Sequence, residues 1–249
     1  MVTGAGSGIG RAVALRLARE GLRLSLFGRR AEPLRRTAAA LGESAEEPFV
    51  EPVDIRARAD VERAFAAAAE AHGPIHVLVA NAGLGGPNHP GPDDRFDDLV
   101  ATNLTGSYSC ARAAQAHLAP GPGARHLLFL SSILGRIGVP GYSGYCASKA
   151  ALLGLARALA AELAPDEVQV NALCPGWVDT DMAREGLEDM ARGLSISVEE
   201  ARRQALGEVP LGRMSRPEDV AGMVAWLISP DARGVTGQGL DMNGGAFMI

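Results

Sequence analysis

Lysine is almost missing from this chain: of 24 basic residues one, Lys149, is a lysine and the others are arginine. Cysteine is scarce too. Cys110, Cys146 and Cys174 form no CxxC or Cys/His ligand pattern, and an odd count without a signal peptide argues for reduced, packing thiols in a cytoplasm. The five histidines, His72, His76, His89, His117 and His126, are scattered, and the nearest pair flanks the helix-breaking Gly73-Pro74, so no metal site is expected. No run of 18 apolar residues occurs, so no membrane span is expected. The net charge of −5 gives nothing that suggests nucleic acid as a partner.

What is present suits one large domain. The chain has 249 residues, 47% of them hydrophobic and 21% charged, enough to bury a sizeable core. Short, nearly continuous apolar runs at Leu22–Phe27, Phe49–Val53, Ile75–Ala80, His126–Leu130, Val168–Leu173 and Gly239–Met242 read as buried parallel strands. Between them lie helical stretches at Ile9–Glu20, Glu32–Leu41, Ala57–His72, Asp94–Leu118, Tyr145–Leu163 and Pro217–Ile228. That alternation predicts an α/β fold, a single Rossmann-type doubly wound parallel sheet in three α/β/α layers over residues 1–249. Only Met1 and Val2 precede the first glycine turn, whereas strands run about 5–6 residues. A truncated first strand is therefore expected, in the middle of the sheet between the second and fourth strands.

The lone lysine stands four positions after Tyr145, and with three tyrosines in 249 residues chance would place it so about once in 80. On a helix that spacing puts ammonium and phenol on one face. A cation within about 4–6 Å lowers a phenol's pKa by roughly 1–3 units, which would let Tyr145 move a proton in carbonyl or alcohol chemistry if a coenzyme handles hydride.

At the other end, Thr3-Gly4-Ala5-Gly6-Ser7-Gly8-Ile9-Gly10 runs straight into a helix. Glycines let the backbone approach a pyrophosphate, and the helix N-terminus offers unpaired N–H groups. Read alone, the same stretch is also consistent with a plain glycine-rich turn.

Together with Asn81-Ala82-Gly83, Asn103, Ser132, Tyr145-xxx-Lys149 and Pro175-Gly176, this motif gives a chain that resembles the short-chain dehydrogenase/reductase family along its whole length. The resemblance implies that Tyr145 protonates the carbonyl oxygen, Ser132 hydrogen-bonds it, Lys149 holds the nicotinamide ribose and tunes the tyrosine, and Asn103 completes a proton relay. It assigns coenzyme contacts to Gly4, Ser7, Gly8, Ile9, Gly10, Asp54, Ile55, Asn81, Ala82, Gly83, Tyr145, Lys149, Pro175, Gly176, Val178 and Thr180, with Asp54 as the adenine-binding acid. The second strand ends in Gly28-Arg29-Arg30 where an acid would favour NAD. Arginine forks suit phosphate, so NADP(H) is expected, with Arg29 and Arg30 as contacts.

Residues 181–208 are expected to form a helical substrate lid carrying Met182, Leu187, Met190, Leu194 and Ile196, an apolar stripe that would equally suit buried core. Val209-Pro210-Leu211-Gly212-Arg213 is similar to segments of ketoacyl reductases, so the substrate is expected to be a small carbonyl or alcohol compound. Pro120-Gly121-Pro122-Gly123 and Pro165-Asp166-Glu167 lack the basic residues of carrier-protein-dependent members, which weighs against an acyl-carrier partner. Ala111, Ala113, Ala114, Ala150, Ala151 and Ala156 are expected to let the two long helices pair with symmetry mates in a homodimer or 222 homotetramer. A non-catalytic nucleotide-binding or scaffold protein on the same fold is the other reading left open.

Overall fold

In the computed structural model, residues 1–42, 46–121 and 123–248 are described; Pro122 of the Pro120-Gly121-Pro122-Gly123 stretch lies outside them. The chain runs β1 Val2–Thr3, α1 Gly8–Arg19, β2 Ser25–Gly28, α2 Ala31–Ala39, β3 Phe49–Pro52, α3 Arg58–His72 and β4 Val77–Ala80. It continues through α4 Phe96–Val100, a π-helical stretch Ala101–Gly106, α5 Ser107–Gln115, β5 Arg125–Leu130, α6 Ser143–Leu163 and β6 Val168–Pro175. The last elements are α7 Asp181–Leu194, α8 Val198–Gly207, α9 Pro217–Leu227 and β7 Gly239–Met242. All seven strands join one parallel sheet in the order β3-β2-β1-β4-β5-β6-β7.

Helices cover both faces because successive strand residues point to opposite sides. In β5, Leu127 and Phe129 face a core shared with Val61 and Phe65 of α3, Ala114 of α5 and Leu159 of α6. Leu128 and Leu130 face the other core, with Val13 and Leu17 of α1, Leu34 of α2 and Val224 of α9. Phe27 stacks on Phe65 with ring centroids 4.9 Å apart, joining β2 to α3. Among the described residues no helix is long and apolar enough to cross a membrane, and no group of three His, Cys, Asp or Glu side chains could hold a metal.

The first strand sits where expected, with Val2 beside Leu26 on one side and Val79 on the other. Its two residues are extended by Met1, whose amino group donates to the Val77 carbonyl at 2.7 Å and whose carbonyl accepts from Val79 at 2.9 Å. Burial lowers that amino group from 8.0 to about 5. A cavity of about 210 Å³ lies beneath it, lined by Met1, Leu17, Leu24, His72 and Val77 among others.

Two sequence expectations need correction. The single helix expected over Asp94–Leu118 is three segments. Asp94 takes the Phe96 N–H at 3.0 Å and starts the helix late, and the π-helical turns widen it around Asn103. The alanines expected at a subunit interface are also mostly spoken for: Ala111, Ala113, Ala114 and Ala156 are buried in the chain's own core. Ala150 alone of the six is exposed, with Ala151 half-buried.

Candidate active site

The glycine turn closes on itself around Asn81. The Asn81 side-chain amide donates to the Thr3 and Gly4 carbonyls at 3.0 and 3.3 Å, and the Thr3 hydroxyl accepts from the Asn81 and Ala82 backbones at 3.0 Å each. Gly4 and Gly8 take φ of 65° and 50°, a region costly for residues with a Cβ. Gly10 is a packing glycine, since a Cβ there would run into the Gly4 carbonyl oxygen; it does not line the cavity the turn opens on. Ser7 caps α1 without a side-chain hydrogen bond, so the first N–H groups of that helix keep their donors for a ligand.

That cavity, about 280 Å³, brings together most of the residues assigned to coenzyme. Gly4, Ser7, Gly8, Ile9, Arg29, Arg30, Asp54, Ile55, Asn81, Ala82, Gly83 and Thr180 all line it. Arg29 and Arg30 are exposed at the end of β2, beside a glycine and with no acid at Gly28. Among the lining residues that escaped the sequence reading, Arg56 and Thr102 are polar and bear most on the site. Arg56 grips Asp54 through three guanidinium contacts of 2.7–3.1 Å and reaches Asp98 at 3.3 Å; this hydrogen bonding holds the Asp54 carboxyl below its usual value. Thr102 lines the same cavity, and its buried hydroxyl has no partner within the described chain. Its signal was adjacency to Asn103, too weak to single out.

Tyr145, Ser132 and Lys149 converge at the C-terminal end of β5 and the first turns of α6. Ser132 follows β5 and caps a short 3₁₀ turn, Ile133–Gly135, its hydroxyl accepting the Leu134 N–H at 3.1 Å. Its hydroxyl also favours the charged form of the Tyr145 phenol. Lys149 is only 5% exposed; its ammonium donates to the Leu130 carbonyl at 2.7 Å and lies 5.6 Å from the Tyr145 ring centroid. Burial without a carboxylate lowers its pKa from 10.5 to about 8.

The phenol departs from expectation. Burial raises the Tyr145 pKa, with the Ser132 hydroxyl opposing, and the Lys149 ammonium expected to lower it gives its short bond to the Leu130 carbonyl. Asn103 is fully buried, its side chain bonded to both backbone groups of Leu84 at 2.8 and 3.0 Å and to the Ser148 hydroxyl at 3.0 Å. Gly83 passes between them: a Cβ built there would stand 3.0 Å from the Asn103 oxygen and 3.4 Å from the Lys149 nitrogen. The side chain of Asn103 thus anchors the loop after β4 to the helix that carries Tyr145.

Pro175, Gly176 and Val178 leave β6 outside the cavity lining, with Val178 buried and bridged to Ser215. Thr180 caps α7, accepting the Ala183 N–H at 3.3 Å, and packs against Gly8 across the cavity. In the expected lid, Leu187 is buried against Met214, with Trp177 and Met190 packed beside them. Met182 and Leu194 are 44% and 52% exposed, and Met182 lies on Gly85 at the cavity rim.

The family described as enoyl-(acyl carrier protein) reductase matches residues 4–246. A Staphylococcus aureus 3-oxoacyl-(acyl-carrier-protein) reductase is 32% identical over all of this chain and 97% of its own length. The chain belongs to the short-chain dehydrogenase/reductase family. It is an oxidoreductase of the ketoacyl-reductase-like kind within that family. A Streptomyces coelicolor protein provisionally named a ketoacyl reductase is 40% identical over 98% of this chain and 95% of its own. Among solved structures, a single-residue variant of actinorhodin polyketide ketoreductase with NADPH superposes with a TM-score of 0.91 at 38% identity, covering 98% and 95% of the two chains. Levodione reductase gives a TM-score of 0.89 at 31% identity, over 98% and 95%.

Proposed function

We propose that this chain reduces a ketone to a secondary alcohol, and the reverse, with NADP(H) as coenzyme and Tyr145 as general acid/base; a 3-ketoacyl compound is the substrate class. The observation that carries the proposal is Lys149, a buried ammonium without a carboxylate beside the phenol of Tyr145. Burying such a charge costs stability, so its retention needs a use.

The cavity fits a dinucleotide. Its floor is backbone that side chains would fill, its rim carries exposed arginines, and Thr102 brings a hydroxyl without a partner. When bound, the coenzyme supplies or accepts the hydride at a carbon of the substrate. The chain's residues do the rest. Ser132 donates to the carbonyl oxygen and fixes its direction, and Tyr145 gives that oxygen a proton. A phenol whose pKa burial raises stays protonated at neutral pH, which suits an acid in the reductive direction. Lys149 holds the nicotinamide ribose and places positive charge near the phenolate left after transfer. Asn103 fixes the geometry of the loop and helix between which protons are resupplied.

Coenzyme choice rests on Gly28, Arg29 and Arg30. Gly28→Asp with Arg29→Asp is expected to weaken NADPH binding by about 10–100-fold, the range for losing one charge-assisted hydrogen bond, while NADH binding holds or tightens. Fluorescence titration of both coenzymes checks this, and equal NADPH and NADH affinities in the wild type would refute it.

We also propose a homodimer or homotetramer, with α6 at the contact. Ala147, Ala150, Gly154 and Ala158 form an exposed face of that helix, and these small residues let a second helix approach closely. Light scattering at micromolar concentration should give two or four chains. A monomer would contradict the assembly.

A further inference from the structure

We propose that Arg136 and Asp241 form a positioning pair that holds Ser132 in place from outside the active site; the role rests on the ketone reduction proposed above. Arg136 is the residue just after the 3₁₀ turn that Ser132 caps, and its backbone N–H closes that turn on the Ile133 carbonyl at 2.8 Å. Its guanidinium leaves the turn and crosses to the edge strand β7. There Nε donates to Asp241 Oδ1 at 3.1 Å and Nη2 to the Gly239 carbonyl at 2.7 Å. The two side chains are only 17% and 21% exposed. Gly239 makes the crossing possible, because a Cβ there would lie 2.6 Å from Nη2.

The other side of the turn is held by α6. Ser131 donates to the Lys149 carbonyl at 2.8 Å, and a Cβ on Gly135 would stand 3.0 Å from that same oxygen. The buried Cys174 of β6 pairs in register with Asp241. Ser132 is therefore fixed against α6 by Ser131 and against β7 by Arg136, and only the second grip depends on an ion pair. Neither Arg136 nor Asp241 contacts Tyr145. Their effect runs through where the Ser132 hydroxyl points, and a misplacement of about 1 Å at a reacting group costs up to about 10²-fold in rate.

Removing one partner alone would strand a half-buried charge, so the informative variant replaces both, Arg136→Met with Asp241→Leu, which keeps volume and removes the desolvation cost. We expect this variant to melt close to the wild type and bind NADPH unchanged. Its kcat on ethyl acetoacetate should fall about 10–100-fold with little change in KM, and the Leu134 amide, which donates to the Ser132 hydroxyl, should exchange faster with solvent. Arg136→Lys keeps the charge without the fork and should recover part of kcat. A folded double variant with wild-type kcat and unchanged Leu134 exchange would overturn the proposal. If the wild type itself does not reduce ethyl acetoacetate, the reduction is what fails. Leu134 exchange then still decides whether the pair holds the turn.

Discussion

Tyr145→Phe is expected to bind NADPH as the wild type does and to lose turnover by about 10²–10⁴-fold or more, the contribution of a positioned general acid. The substitution removes one hydroxyl. The ring keeps its packing on α6, and Ser132 keeps its bond to the Leu134 N–H, so the loss isolates proton transfer from folding and from coenzyme binding. Turnover retained within a few-fold would sink the assignment. The wild-type rate of reduction should also fall as pH rises past about 8, where Lys149 loses its charge. A rate that is flat from pH 7 to about 10 would show that neither group titrates in the reaction.

The second large effect is a trade between stability and activity at Lys149. Its pKa is about 8 in the folded chain against an ordinary 10.5, so between those values the unfolded chain binds more protons and stability rises with pH. Below about pH 8 the penalty is complete, on the order of 3 kcal/mol. Lys149→Met removes the charge but leaves the Leu130 carbonyl without its donor, at about 1 kcal/mol. The net gain is about 2 kcal/mol, or about 4–8 °C in melting temperature for a chain of this size. Turnover of that variant should be lower by at least about 10²-fold. Lys149→Arg should be crippled as well, since a planar fork cannot take the place of a compact ammonium. A Lys149→Met protein that is both less stable and active would mean that the lysine is structural.

Much of the architecture was legible because buried parallel strands must be short and apolar on both faces. Leu127, Leu128, Phe129 and Leu130 alternate between two cores, and such a run cannot sit at a surface. The Tyr145–Lys149 spacing was legible because a helix converts four positions into one face. Contacts that depend on where side chains turn were not. Asp54 was read as the adenine-binding acid, and nothing local announced that Arg56 two positions on would hydrogen-bond its carboxylate. The alanines of α5 and α6 were read as interface residues, yet Ala111, Ala114 and Ala156 face inward, because small apolar residues suit a tight core and a helix contact equally. Nothing in the sequence announces the π-helical stretch at Asn103, which ends at Gly106 packed so tightly on Ile55 that a Cβ would come within 2.7 Å. The Arg136–Asp241 pair spans 105 positions, beyond any local pattern.

The most direct measurement mixes the wild-type protein with NADPH and ethyl acetoacetate and follows both NADPH absorbance and product. Consumption of NADPH matched one to one by the hydroxyester, and abolished in Tyr145→Phe, is the expected result. NADPH that binds with no hydroxyester formed, from this or any other β-ketoester, diketone or cyclic ketone, would contradict the catalytic role and leave a nucleotide-binding protein on a dehydrogenase fold.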